Sequence, residues 1–174
     1  DIIQNVIYTA ILWEERDSSG AYNFATVKQP AVGSRGVVTS NHPLASMAGT
    51  ELLLAGGNAV DAAVGTMFAL SVVEPMMTTI FGAGFTNIHM ADGRDVVIDN
   101  YSEVPLAATP DLFEPLPNHS EHGVVDELNW TGHLAVGVGG TCLGWATAIE
   151  KYGNLSLSDV VAPAIRLARS GFRV

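Results

Sequence analysis

VVTSNHPLASMAGTELLLAGGNAVDAAVGTMFALSVVEPMMTTIFGAGFTNIHMADGRDVVIDNYSEVPLA, residues 37–107, is the stretch whose reading sets the fold. It reads as a short strand, two apolar helices joined at Gly56-Gly57, a Gly-rich bend and a β-hairpin. Ser40-Asn41-His42 supplies a polar residue to cap the first helix, and Pro43 suits its first position, where the missing N–H costs nothing. Leu44, Met47, Ala48, Leu52 and Ala55 recur at three- and four-residue steps and mark the expected buried face. Gly56-Gly57 closes that helix, because glycine takes the left-handed terminal conformation without a Cβ clash. The second helix is expected from about Asn58 to Glu74, stopped by Pro75. Val60, Ala63, Val64, Met67, Phe68, Leu70, Val72 and Val73 leave it almost no polar face, so it reads as a core helix sandwiched against a sheet. Its uncharged run, between Asp61 and Glu74, falls short of the roughly 20 residues that a bilayer span needs. Gly82-Ala83-Gly84 lets backbone approach something closely. Phe85 to Met90 alternates, Asp92-Gly93 is a hairpin signal, and Val96-Val97-Ile98 is the return strand.

Working outward, residues 1–35 read as an N-terminal arm and 36–174 as the main body. Ile2 to Trp13 is apolar and β-prone, an edge strand or docking arm; starting at Asp1 without a basic region, it is no secretory signal. Ser18 to Pro30 is a loop or arm with Tyr22 and Phe24 as anchors. Beyond the hairpin, Val104 to Pro110 is expected to be extended, since residues before proline avoid the helical region, and Asp111-Leu112-Phe113 to make one helical turn. Pro115 to Asn129 is a polar surface loop. Leu134-Ala135-Val136-Gly137-Val138 reads as a buried strand, Gly139-Gly140 as a turn, and Trp145 to Tyr152 as a short helix ended by Gly153. Ser156 or Ser158 caps a last helix with Val160, Val161, Ile165, Leu167 and Ala168 on its apolar face and Gly171 as its stop. Val174 falls where a strand would begin.

With 174 residues and 48% apolar side chains, the chain can build a real core. A net charge of −10, with no Lys/Arg run, argues against nucleic acid or an anionic membrane surface as partner. The single cysteine, Cys142, excludes an internal disulfide and a multi-cysteine zinc site. Lying in an apolar, Gly-rich segment, it is expected to be a packed small side chain rather than a thiolate.

No nucleophile–base pair announces itself. Gly-x-Ser-x-Gly, the zinc-helix motif and the phosphate loop are all absent from the sequence. Gly82-Ala83-Gly84 follows a helix rather than a strand and falls short of a dinucleotide fingerprint. His119, Glu121, His122 and Asp126 match no established metal spacing and read as solvated loop residues; no metal and no cofactor is expected. Asp61, in the first turn of a buried helix, is expected to offset the helix dipole. On the residues alone, the chain reads as a globular α/β-type domain with its function unspecified.

Three ordered blocks, ASMAGTELLLAGGNAVDAAVGTMFALSVVEP, FGAGFTNIHMADGRDVVID and EVPLAATPDLF, followed by GVGGTCLGWATAIEKYGNLSLSDVVAPAIRLARSGFRV, closely resemble the N-terminal half of the large subunit of the γ-glutamyltransferase family. The likeness runs from Gly36 to Val174. It implies an α+β fold that is part of the four-layer αββα sandwich of N-terminal-nucleophile hydrolases, made as a self-cleaving precursor. The resemblance places the nucleophile on the new N-terminal threonine of the small subunit, with its own α-amino group as base. No residue of this chain corresponds to that threonine, so no catalytic residue is expected here. The implied partners are the remaining large-subunit segment, the small subunit and a small-molecule amide, with a higher oligomer open. The compartment is open too, the cytoplasm slightly favoured over a periplasmic or secreted location.

The sequence departs from that family at one informative place. True γ-glutamyltransferases carry an Arg-Glu pair after the second hairpin strand, the arginine gripping the glutamyl α-carboxylate. Aligned on VPLAATPDLF, this chain has Tyr101-Ser102 there, while Arg94 lies in the hairpin turn and is no convincing substitute. The resemblance thus points to an amidase or acylase branch, such as cephalosporin-acylase-like or oxamate-amidohydrolase-like members, with Tyr101 and Ser102 as substrate-binding residues. A true γ-glutamyltransferase and a non-catalytic binding or scaffold remnant are the alternatives.

Overall fold

A computed structural model describes residues 15–16, 22–23, 31–117 and 123–173. Along the chain run β1 (Glu15–Arg16), β2 (Tyr22–Asn23), α1 (Pro43–Leu54), α2 (Ala59–Val73), β3 (Phe85–His89), β4 (Asp95–Asp99), α3 (Thr141–Tyr152) and α4 (Leu157–Ser170), with 3-10 turns at Val125–Glu127 and His133–Ala135. β1 and β2 pair antiparallel, as do β3 and β4, in two separate two-stranded ribbons. Helices and small antiparallel ribbons together make an α+β chain. The edge strand or arm expected over Ile2–Trp13, and the anchoring contacts expected of Tyr22 and Phe24, lie outside what is described.

α1 starts as its sequence dictates. Pro43 opens it, and the His42 Nδ1 accepts from the Leu44 N–H at 3.2 Å. Its buried face, however, is Ala45, Ala48, Gly49 and Leu52, while Met47 is 65% exposed and Ala55 is exposed as well. The expected face favoured large side chains. Close packing selected small ones instead: a Cβ on Gly49 would fall 2.2 Å from the Thr66 Oγ1, and one on Gly65 would fall 2.1 Å from the Leu52 Cδ1. α1 and α2 therefore approach nearly backbone to backbone.

α2 is buried on most sides, as its composition requires, but its neighbours are helices. Among the described residues α1 and α4 cover it most extensively and α3 adds a third wall, where the sequence led to the expectation of a sheet. Phe68 of α2 meets Trp145 of α3 edge to face at 4.9 Å between ring centroids. With Val64, Leu70, Ile149, Val160 and Ala164 they form the core, to which β3 contributes Ile88.

The β3–β4 hairpin runs in register from Phe85 opposite Asp99 to His89 opposite Asp95, with Gly93 at φ +86° in its turn. Three other expected elements are absent among the described residues. Val37–Ser40 forms no strand. Leu134–Val138 is no buried strand either. It begins as a 3-10 turn, Val136 and Val138 are exposed, and only Glu103 and Val138 bridge. The next pairing position is Pro105, which has no N–H to donate, so the ladder stops after one rung. Asp111–Phe113 makes no helical turn: the Leu112 N–H closes a turn on the Thr109 carbonyl at 3.0 Å, and Pro115 keeps the preceding backbone out of the helical region. The extended run at Val104–Pro110 is likewise broken by a turn from Pro105 to Ala108.

α3 begins at Thr141, four residues before the expected Trp145. In α4 the buried residues are Val160, Pro163 and Ala164, whereas Ile165 and Ala168 of the expected face are exposed. The Ser156 Oγ accepts from the Asp159 N–H at 3.2 Å and donates to its carboxylate at 2.6 Å, so Ser156, not Ser158, is the cap. Ser156→Ala is expected to cost about 1 kcal/mol, read as a lowered melting temperature, with Ser156→Asp retaining most of the stability.

Candidate functional site

Four segments converge where β4 ends. The backbone from Ile80 to Gly84 comes up after α2, β4 runs out into Asn100-Tyr101-Ser102, Gly137 to Gly140 leads into α3, and the first turn of α3 closes the group. The α3 N-terminus has no side-chain cap. Its donors go to the bend instead: the Thr141 N–H reaches the Gly82 carbonyl at 3.3 Å and the Cys142 N–H reaches that of Ile80 at 3.1 Å. These amides are taken, so this helix end is not an anion site.

The approach is close enough to require glycine. A Cβ on Gly139 would lie 2.0 Å from the Phe81 carbonyl oxygen; one on Gly140 would lie 2.8 Å from the carbonyl oxygens of both Asn100 and Tyr101. Within α3, a Cβ on Gly144 would fall 2.3 Å from the Asn100 Cβ. A close passage does lie at the Gly82-Ala83-Gly84 bend, but the glycines that permit it are Gly139, Gly140 and Gly144: a Cβ on Gly82 would come no closer than 3.2 Å to another atom, and one on Gly84 no closer than 3.6 Å.

Asn100 is 5% exposed. Oriented to satisfy its surroundings, its carboxamide turns two N–H donors toward three acceptors within reach, the Thr86 Oγ1 at 3.2 Å, the Ile98 carbonyl at 3.2 Å and the Gly84 carbonyl at 3.3 Å. Its backbone N–H also reaches the Gly84 carbonyl, at 3.1 Å. A lone asparagine after a strand carries no pattern in the sequence, and reading the sequence did not single it out. Its tell is the pairing with Gly144, visible only once α3 is docked.

Tyr101 and Ser102 follow at the rim of an open depression of about 530 Å³ lined by Phe85, Asp99, Tyr101, Ser102 and Glu103. The Tyr101 ring stacks on Phe85, 5.5 Å between centroids and 22° between planes, and its N–H donates to the Asp99 Oδ1 at 3.0 Å. Tyr101 is 57% exposed. Ser102 lies beside Gly137, where an added Cβ would stand in ordinary contact 3.4 Å from the Ser102 Cβ. Among the described residues, two carboxylates and no cation line this depression.

Arg94 is elsewhere, at the hairpin tip, with its Nε on the Asp92 Oδ2 at 2.7 Å. That hydrogen bond and the Arg94 backbone N–H hold the Asp92 carboxyl below its ordinary value. Cys142 is exposed, which corrects the expectation of a packed thiol: it follows the buried Thr141 on the outer side of the first turn. Of the loop acids and histidines, His119, Glu121 and His122 lie outside the described residues. Asp126 sits in a left-handed turn at φ 57°. Among the described residues, no group of three or more potential ligands could hold a metal, and no helix is long and apolar enough to cross a membrane.

Residues 45–174 match the family model described as gamma-glutamyltranspeptidase. Over 154 residues the chain is 51% identical to an acylase ACY 1 proenzyme from Pseudomonas sp. (strain V22), covering 87% of this chain and 28% of that protein. It is 39% identical over 172 residues to a glutathione hydrolase proenzyme from Pseudomonas sp. (strain A14), covering 98% of this chain and 29% of the relative. Among solved structures, Helicobacter pylori γ-glutamyltranspeptidase superposes with a TM-score of 0.74 at 42% identity, covering 83% of this chain and 40% of that one. The chain therefore spans less than a third of the length of these curated relatives.

Proposed function

The chain belongs to the gamma-glutamyltranspeptidase family, and from that premise we propose that it is the N-terminal part of the large subunit of an amidohydrolase or acylase. Residues 36–174 supply outer helices and part of the sheet of a four-layer αββα sandwich, and residues 1–35 form an arm. An N-terminal threonine on a separate subunit attacks the amide carbonyl, its own α-amine taking the proton. The amine product leaves, and water releases the acyl group from the threonine ester. The depression at Tyr101 and Ser102 receives part of the acyl chain.

The observation that carries this reading is the chemistry of that depression. Where a γ-glutamyl-specific site needs a guanidinium, this chain has an aromatic pair, a serine, Asp99 and Glu103. A free carboxylate held there would face two like charges, with no counter-ion among the described residues. The higher identity to an acylase than to a glutathione hydrolase supports the same branch.

Exposed apolar groups support the partner segments of the proposal. Val104, Leu106 and Val136 flank the bridge between Glu103 and Val138 along the chain, and each is at least 63% exposed. Apolar patches of this kind mark contact surfaces, which the remainder of the precursor covers in this reading.

The test is an assay of the full-length enzyme on N-acyl p-nitroanilides with and without a carboxylate on the acyl chain, alongside γ-glutamyl-p-nitroanilide with a dipeptide acceptor. Hydrolysis should dominate, and efficient γ-glutamyl transfer would instead establish a true transferase. Tyr101→Phe should shift the relative KM values of these amides by about threefold to tenfold, the worth of one hydrogen bond. Unchanged kinetics for every amide would remove Tyr101 from the pocket.

A further inference from the structure

We propose that Asn100 is the positioning residue of the acyl site. Its buried carboxamide fixes the backbone that presents Tyr101 and Ser102, and the proposal rests on the reading of their depression as the acyl-binding site. The two carboxamide N–H donors tie the end of β4 to the facing chain and to β4 itself, with three acceptors within reach: the Thr86 Oγ1, the Ile98 carbonyl and the Gly84 carbonyl. The Asn100 Cβ rests against α3 in the space that Gly144 leaves, and the Asn100 and Tyr101 carbonyls rest against Gly140. Asn100 is thus held from the hairpin side and from the helix side at once, while the two residues after it are exposed. A buried side chain with all its donors directed into the framework, immediately before an exposed aromatic, sets where that aromatic stands. Tyr101 has further contacts of its own, its ring stacked on Phe85, its N–H on Asp99 and its carbonyl against Gly140, but none of them ties it to β3 or to the Gly84 bend by hydrogen bonds as Asn100 is tied.

The chemistry makes a distinctive prediction. Asn100→Leu keeps the volume and removes the donors, leaving the Gly84 and Ile98 carbonyls without their side-chain partner. In the full-length enzyme, assayed on the best N-acyl p-nitroanilide, this variant should raise KM about tenfold or more with kcat within about twofold, because displacement of a binding group weakens binding without touching the nucleophile. Thr86→Val, which removes one of the three acceptors and keeps strand propensity, should raise KM about threefold. It serves as the deciding variant if Asn100→Leu does not fold. Tyr101→Ala is the reference. If it raises KM and Asn100→Leu and Thr86→Val do not, the positioning role is overturned while the site stands, even if both variants melt earlier. If Tyr101→Ala itself leaves KM unchanged, the depression is not the acyl site and the proposal falls with it. A raised KM at all three positions establishes it.

Discussion

Asp61→Ala is expected to destabilise the helical core by about 3–5 kcal/mol, since three backbone donors lose one charged acceptor together. The Asp61 carboxylate is fully buried. One oxygen accepts from the Asn58 N–H at 2.7 Å, and the pair of oxygens accepts from the Asn154 N–H at 3.0 and 3.2 Å and from the Leu155 N–H at 3.2 Å. Half of this is a capping box: the Asn58 Oδ1 accepts from the Val60 and Asp61 N–H groups, and Asp61 answers on the Asn58 N–H. The other half reaches 93 residues along the chain and binds the turn between α3 and α4. The Asn58 Nδ2 completes the clasp on the Tyr152 carbonyl at 2.6 Å. Space for the carboxylate is provided by Gly153, where a Cβ would stand 2.6 Å from the Asp61 Oδ1. The loss should appear as a lowered melting temperature and as faster hydrogen exchange at the Asn154 and Leu155 amides, with α1 less affected. Asp61→Asn keeps one oxygen and turns an NH₂ toward backbone donors, so it should fall between the two. A loss of only about 0.3–1 kcal/mol in the alanine variant would show that the carboxylate does no more than offset the helix dipole, as its place in the first turn suggests by itself.

That contrast shows what could be read from the sequence. Pro43, Asn58, Gly56-Gly57, Asp92-Gly93 and Gly171 act on their immediate neighbours, and the helices and hairpin they bound lie where local chemistry puts them. The errors at Met47 and at Leu134–Val138 share one cause: they concern partners distant in the chain. Met47 looked like a core residue because large apolar side chains usually are, but the α1–α2 interface was selected for small ones. Val136 and Val138 have strand composition, yet a strand requires a ladder, and Pro105 ends theirs after one rung. The site was legible only by resemblance. Tyr101 and Ser102 carry no chemical pattern of their own, and the aligned blocks around them supplied their place. Asn100 escaped altogether, since its meaning lies in Gly144 on another element.

Gly139→Ala should reduce kcat/KM of the full-length enzyme by about tenfold or more, on the scale expected when binding groups are displaced by an ångström or less. Backbone strain is not the reason, as Gly139 is not among the positive-φ glycines. The reason is a collision without a flexible partner. The added Cβ would stand 2.0 Å from the Phe81 carbonyl oxygen and 3.0 Å from that of Gly82, both main-chain atoms. Relief requires the Ile80–Gly84 bend and the start of α3 to separate. Those two segments are bonded through Thr141 to Gly82 and Cys142 to Ile80. Opening them uncaps α3 and pulls on Gly84, the acceptor for both the backbone and the side chain of Asn100. Displacement at Gly139 therefore reaches Tyr101 and Ser102 through two hydrogen-bonded steps. Overpacking of this kind costs about 1–3 kcal/mol in stability, so stability and activity should fall together. Gly93→Ala is the control: its φ of +86° is strained for alanine, but nothing lies within 4 Å of the new Cβ. That variant should lose about 1 kcal/mol at the hairpin tip and keep its kinetics. Equal activity in both variants would mean that the bend and the α3 N-terminus are not mechanically joined to the depression.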